Sequence, residues 1–262
     1  MIVLAALWGL WEGYRWLGIR AGITWPFTVD PVTMPHLHKI VAALFEPSRL
    51  NGPLLITVLF HSAVFTAKEA AAGFALGGIV GFGIGVVLAH SRLLQRGFMP
   101  YIVASQTVPI LAIAPMVVIW LKSGWQSVAV IAAYLTFFPV TINTLRGLDS
   151  PDRRAIELMR SYAASPWSIL WKLRVPAALP YIFTALKVSA TASVVGAIVG
   201  ELPSSIPDGL GGAILNFNQY YSLEPTKLWA TNIVAALLGI TFFLAVLLAE
   251  RLIVRRAPEN VA

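Results

Sequence analysis

Four stretches of this sequence, residues 70–91, 97–121, 123–145 and 228–249, run for 22 to 25 residues without one Asp, Glu, Lys or Arg. A backbone crossing about 30 Å of hydrocarbon must satisfy its own N–H and C=O groups, and an α-helix does so in about 20 residues. The chain is therefore held to a bundle of membrane-spanning helices. A fifth stretch, 175–200, contains only Lys187, close enough to Arg174 to snorkel toward a headgroup. Residues 1–19 are weaker, because Glu12 and Arg15 interrupt them. A charge at mid-helix costs about 2.5–3.5 kcal/mol on insertion scales. The Leu, Trp and Ile content still favours a span, with neither the basic start nor the small-residue cleavage site of a signal peptide. Its lack of basic flanks points to a missing or trimmed leader. The prediction is a single all-α domain over residues 1–262, with six spans near 2–19, 57–89, 98–121, 124–145, 177–200 and 228–250.

Composition excludes the main alternatives. Hydrophobic residues make up 58% and charged residues only 12%, against about 25% charged in a soluble domain. A single soluble enzyme domain and a disordered chain are both ruled out. There is no cysteine, so disulfides, thiolate metal sites and cysteine nucleophiles are excluded. The net charge of +7 would raise nucleic acid as a partner for a soluble chain. In a membrane protein it reflects Lys and Arg collecting in cytoplasmic loops, and no nucleic acid is expected. With both termini cytoplasmic, the inner segments hold eleven basic residues, among them Arg146, Arg153, Arg154, Arg160, Arg255 and Arg256, and the outer ones five. That asymmetry sets the expected orientation.

The outer segments, 20–53 and 201–227, are rich in Pro, Gly and Asn and read as ordered turns with short interfacial helices. Residues 57–89 are too long for one upright span. Their start, around Lys68 and Glu69, is expected at the outer interface or in a tilted segment.

The inner segment 150–175 carries more chain than a connection needs. Ser150-Pro151-Asp152 is a helix start: a cap, proline at the first position and an acid at the positive end. Ile156, Met159 and Ala163 then share one face. Ser165-Pro166 repeats the start, Trp167, Leu170 and Trp171 form a second apolar stripe, and Pro176 and Pro180 are expected to end that helix. Two readings fit this spacing. The helices lie on the membrane with arginines toward lipid phosphates, or they dock into a cytoplasmic partner.

At this loop the sequence resembles the permease subunits of binding-protein-dependent ABC importers. Their cytoplasmic signature, E-A-A, three residues and G, then I/V-x-L-P, is similar to the run Glu157-Leu158-Met159-Arg160-Ser161-Tyr162-Ala163-Ala164-Ser165, followed by Arg174-Val175-Pro176 and Ala177-Ala178-Leu179-Pro180. Gln106-Thr107-Val108-Pro109 with Ala114-Pro115, Phe137-Phe138-Pro139 with Asn143-Thr144, and Gly209-Leu210-Gly211 resemble the nitrate, sulfonate, taurine and pyrimidine-precursor branch. The likeness runs from about residue 57 to 256. Leu158 and Met159 depart from the two alanines and Ala163 from the glycine, so a more helical turn is expected there.

The resemblance implies an all-α, type I importer permease in a bacterial inner membrane, both termini cytoplasmic. It pairs with a second permease copy, two ABC ATPase subunits and an external solute-binding protein. ATP and Mg belong to the ATPase, and this chain binds no cofactor and is no enzyme. Glu157, Arg160, Ala163, Ser165, Trp167, Leu170 and Pro176 would form the coupling loop. The chain lacks a G-x-x-x-x-G-K-[ST] loop, and its Gly81-Phe82-Gly83-Ile84-Gly85 run lies inside a span, where no nucleotide is expected.

Other residues carry weaker signals. Gly73, Gly77, Gly81 and Gly85 recur every four residues and form a smooth ridge for close helix packing, in this chain or against a second copy. Pro109, Pro115 and Pro139 interrupt spans, either as kinks or as a pathway lining. Gln106, Pro109, Pro115, Asn143 and Ser189 are the candidate pathway residues, and Glu201 is an interfacial acid or an outer gate. His36 and His38 offer two metal ligands with no third nearby, so no metal is expected. Two other classes stay open. A secondary transporter needs an ionisable site in mid-membrane, and a membrane enzyme needs a nucleophile–base pair or a metal cluster; the spans supply acids for neither.

Overall fold

The computed structural model describes residues 2–22, 25, 28–122, 124–204 and 206–254, without the side chains of residues 2–5. Arg255 and Arg256 of the inner basic count lie outside the described residues, as does Ser123 at the head of one uncharged stretch. The elements in order are α1 (Ile2–Ala21), α2 (Leu37–Ala43), α3 (Leu55–His90), α4 (Arg92–Ser105), α5 (Ile110–Leu121) and α6 (Trp125–Leu148). There follow α7 (Arg153–Ser161), α8 (Pro166–Ile169), a π-helical turn (Leu170–Arg174), α9 (Val175–Ser204), α10 (Leu210–Gln219) and α11 (Pro225–Ile253). Among the described residues β pairing is confined to an isolated bridge, Pro47 with Leu54.

Among the described residues four helices are long and apolar enough to cross a membrane: α3, α6, the continuous run Pro166–Ser204 and α11. The pair α4 and α5 makes a fifth if taken as one broken span. By length and composition the described residues do not confirm the expected count of six. Glu12, Arg15 and three tryptophans lower the hydropathy of α1 below that of the others.

The chain divides into two compact units. The first comprises residues 1–65 and 207–236. Here the main chain of the turn-rich segment after α1 is held by long side chains. Trp11 donates from Nε1 to the Pro35 carbonyl at 3.1 Å, Arg15 from Nε to the Met34 carbonyl at 2.8 Å, and Tyr221 to the Val32 carbonyl at 2.8 Å. The rings of Trp11 and Trp229 meet edge to face at 5.3 Å. Lys227, buried at the start of α11, pairs with Glu224 at 2.6 Å and donates to the Ser48 carbonyl. The expected turns and short helices are present as α2 and α10.

The second unit comprises residues 66–206 and 237–262. Its core is α6, packed between α3 and α9. The glycine ridge of α3 lies on α6 of the same chain: a methyl on Gly77 would stand 2.5 Å from the Ala133 carbonyl oxygen, and one on Gly81 2.5 Å from that of Phe137. On its other side α6 meets small residues of α9, where a methyl on Gly196 would lie 2.9 Å from Ala132 Cα. Backbones this close leave α6 no room to retreat.

Three expectations about the spans are corrected. The third is not one helix: α4 and α5 cross at a 96° bend. Pro109 caps α5 with φ −62° and ψ 126°, and a residue before proline, here Val108, is driven out of the helical region. Tyr134 of α6 donates its hydroxyl to the Ser105 carbonyl and pins the end of α4. Second, Pro176 and Pro180 do not end a helix, since helical backbone continues from Pro166 to Ser204. The π turn at Leu170–Arg174 shifts carbonyls out of the i−4 register just before Pro176, where proline lacks the N–H to pair with them. Third, Lys187 has a charged partner inside the protein, which the sequence reading did not supply. Its ammonium pairs with Glu250 of α11 at 2.7 Å.

Candidate functional site

The loop between α6 and α9 is built from three local devices. Asp152, not Ser150, caps α7, accepting from the Arg154 N–H at 3.0 Å, while the Ser150 hydroxyl turns back to the Gly147 carbonyl. At the far end the Ala164 N–H bonds the Met159 carbonyl and the Ala163 N–H bonds that of Arg160, the pairing of a Schellman stop. This places Ala163 at φ +54°, in the left-handed region. The turn is therefore not more helical than a glycine would make it; the hydrogen-bond geometry imposes the left-handed residue although alanine stands there. Ser165 then caps α8, accepting from the Ser168 N–H at 3.2 Å.

A left-handed L-residue costs about 1–2 kcal/mol that glycine avoids, offset in part by the extra freedom of glycine in the unfolded chain. Ala163→Gly is thus expected to raise the melting temperature of the purified protein or leave it unchanged, and Ala163→Val to lower it. A thermal shift in detergent measures both.

The side chains of the loop divide by face. Leu170 is buried with Leu148, Ala178 and Ile182, so the expected stripe of Trp167, Leu170 and Trp171 splits. The two tryptophans stay exposed, their rings edge to face at 5.5 Å. Leu158 and Tyr162 of the same loop are exposed as well. Glu157 projects into solvent and pairs along α7 with Arg153, Nε to Oε1 3.0 Å. Arg160 lines a cleft of about 450 Å³ with His90, Ile156, Ile169 and Arg174. Pro176 sits in the first turn of α9.

The candidate pathway residues differ in burial and in partners. Gln106, Pro109 and Pro115 are exposed on α4 and α5 around the bend. Asn143 gives its amide to the Pro139 carbonyl at 2.8 Å, the acceptor one turn back in its own helix. Ser189 is fully buried between α9 and α6, its hydroxyl 3.4 Å from the Thr136 carbonyl. In this conformation Ser189 is closed to any solute.

The acids Glu201, read as interfacial or as an outer gate, and Glu69, read as interfacial or in a tilted segment, are both buried within the protein, at 0% and 2% exposed. Thr66 donates to Glu201 Oε1 at 2.6 Å, and the Glu69 carboxyl lies against Glu201. Apart from the facing Glu201 carboxyl, no group among the described residues bonds either oxygen of Glu69. The signal for Glu69 was present: Glu69, Gly73 and Gly77 stand four apart on the ridge face. The argument against an ion-coupled transporter from a lack of buried acids therefore does not hold. A second correction concerns the histidines. Glu12 of α1, 24 residues from His36, brings the third ligand atom that the sequence neighbourhood lacked.

An all-helical chain with several apolar spans and an amphipathic loop between two of them has the layout of a multi-pass permease. The family of binding-protein-dependent transport system inner membrane components matches residues 73–257, and the chain belongs to it. The chain is 32% identical to the formylaminopyrimidine transport permease protein of Halalkalibacterium halodurans, over 79% of this chain and 86% of that one. The riboflavin transport system permease protein of Chloroflexus aurantiacus is also 32% identical, over 82% and 78%. A putative aliphatic sulfonates transport permease protein of Bacillus subtilis is 28% identical over 91% and 80%. The chain is a membrane permease subunit of an ATP-driven importer, and this membership, not the inventory of buried acids, decides against the secondary transporter.

Proposed function

We propose that the loop from Asp152 to Arg174 docks this permease onto a cytoplasmic ABC ATPase, and that two permease copies together form the pathway. The observation that carries this reading is the exposed set Leu158, Tyr162, Trp167 and Trp171 on a loop whose caps and buried Leu170 fix its shape. Large exposed apolar side chains grouped on one surface mark a contact with protein or membrane. Glu157, Arg160, Ala163 and Ser165 set the geometry of that surface, and Pro176 stands where the movement passes into α9. ATP and Mg stay on the ATPase; this chain contributes no catalytic group. A solute-binding protein delivers the solute from the outer side, in the bacterial inner membrane.

The mechanism is alternating access. Closure of the ATPase pair rotates the docked loops, and the continuous helix from Pro166 to Ser204 carries the motion to the far end of α9, where Glu201 lies. Glu201, tied by Thr66 to α3, acts there as the outer gate. The solute passes the α4–α5 bend, by Gln106, Pro109 and Pro115, and along α6 and α9, where opening uncovers Asn143 and Ser189.

The test uses the absence of native cysteine. With an impermeant thiol reagent on intact cells, a cysteine at Ser48 should react and cysteines at Ser91 and Ser161 should not. Labelling of Ser161 from outside would overturn both the orientation and the docking.

A further inference from the structure

The first unit holds a group of side chains to which the proposed transport mechanism assigns no role. Glu12 of α1 and His36 and His38 at the start of α2 each offer one ligand atom, and these atoms lie within 4.8 Å of one another. We propose that Glu12, His36 and His38 form a binding site for a divalent transition-metal ion, with zinc the best match. This inference is independent of the docking loop.

The donor set points to zinc. Two imidazoles and one carboxylate, without thiolate, suit Zn²⁺ with a water in the fourth position, and they are a poor set for calcium or magnesium. Ligands on a tetrahedral zinc sit about 3.3 Å apart for bonds of about 2.0–2.2 Å. Glu12 Oε2 and His36 Nδ1 are 2.8 Å apart, facing each other. The His36 and His38 rings lie 4.9 Å apart, tilted by 33°. Only His38 is exposed, so its ring is free to rotate inward while the other two hold position.

The surroundings orient the ligands. The Leu37 N–H bonds Glu12 Oε1 at 3.1 Å, leaving Oε2 to the histidine. Trp11 and Arg15 hold the Pro35 and Met34 carbonyls against α1, which fixes the chain just before His36. Such outer contacts set ligand direction in metal sites. One neighbour opposes binding: Arg15 Nη1 stands 3.3 Å from His36 Nδ1. An ion there displaces that contact, while Arg15 keeps its Nε bond to Met34.

The test is metal titration of the full-length permease, purified in detergent through a tag without histidine and stripped with chelator. Co²⁺ serves as the spectroscopic probe and Zn²⁺ as competitor. One Co²⁺ per chain is expected, with the visible absorption of a four-coordinate site and full displacement by Zn²⁺. His38→Ala should weaken binding at least about tenfold, as should Glu12→Gln, and His90→Ala should leave it unchanged. His38 is exposed, so its removal should leave the melting temperature of the metal-free protein unchanged. No saturable one-to-one binding, or equal binding in His38→Ala, would overturn the site.

Discussion

Gly77→Val should abolish the folded permease, while Gly83→Ala on the same helix should leave it near wild type. A Cβ at Gly77 would stand 2.5 Å from the Ala133 carbonyl oxygen and 2.7 Å from Thr136 Cβ, whereas one at Gly83 meets nothing within 4 Å. The Ala133 contact is backbone, so no rotamer change relieves it. Displacing α6 is no remedy either, because Gly196 of α9 holds Ala132 from the other side. Overpacking typically costs about 1–3 kcal/mol, occasionally more, and valine brings two more methyls than the smallest clashing group. Two packed interfaces fail together. The measurement is the yield and melting temperature of monodisperse protein in detergent. A valine variant that melts with wild type would show that α3 and α6 are not packed this way.

That ridge was readable in advance because its information is local: four glycines at one spacing need no partner to be recognised, and only the partner, α6, had to come from the structure. The loop was half legible. Its start signals and apolar positions lie close in sequence, but Ser150 and Asp152 both make good caps, and the competition is decided by the Gly147 carbonyl that takes the Ser150 hydroxyl. Leu170 left its expected stripe because it packs with Leu148 and Ala178, partners that the spacing of its own helix does not name. The remaining misses are non-local. Tyr134 anchors the break at Ser105 from 29 residues away, Thr66 reaches Glu201 across 135, and Glu12 meets His36 across 24. Burial of a lone Glu inside an apolar stretch is costly, and the contact that brings Glu69 to Glu201 cannot be seen from either neighbourhood.

The second large effect is expected at Glu157. Among the described residues it pairs only along α7 with Arg153, on an exposed face. Such a pair stabilises a helix by about 0.2–0.5 kcal/mol, so α7 folds without it. If Glu157 is buried against an ATPase, removing one member of the charged pair costs about 2–5 kcal/mol, which is about thirtyfold or more in affinity. The two readings of the loop, membrane surface or docking element, are thus separated by more than an order of magnitude. Arg153→Gln serves as the control: it breaks the same pair inside α7, so an effect on helix stability alone appears equally in both variants.

The most direct measurement is capture of the ATPase by detergent-solubilised permease, with ATP hydrolysis followed in the reconstituted complex. Wild type should bind the ATPase and govern its turnover. Glu157→Ala should weaken binding about thirtyfold or more, or leave ATP hydrolysis running without transport, while melting like wild type. Association and coupling in Glu157→Ala within about twofold of wild type would contradict the docking loop.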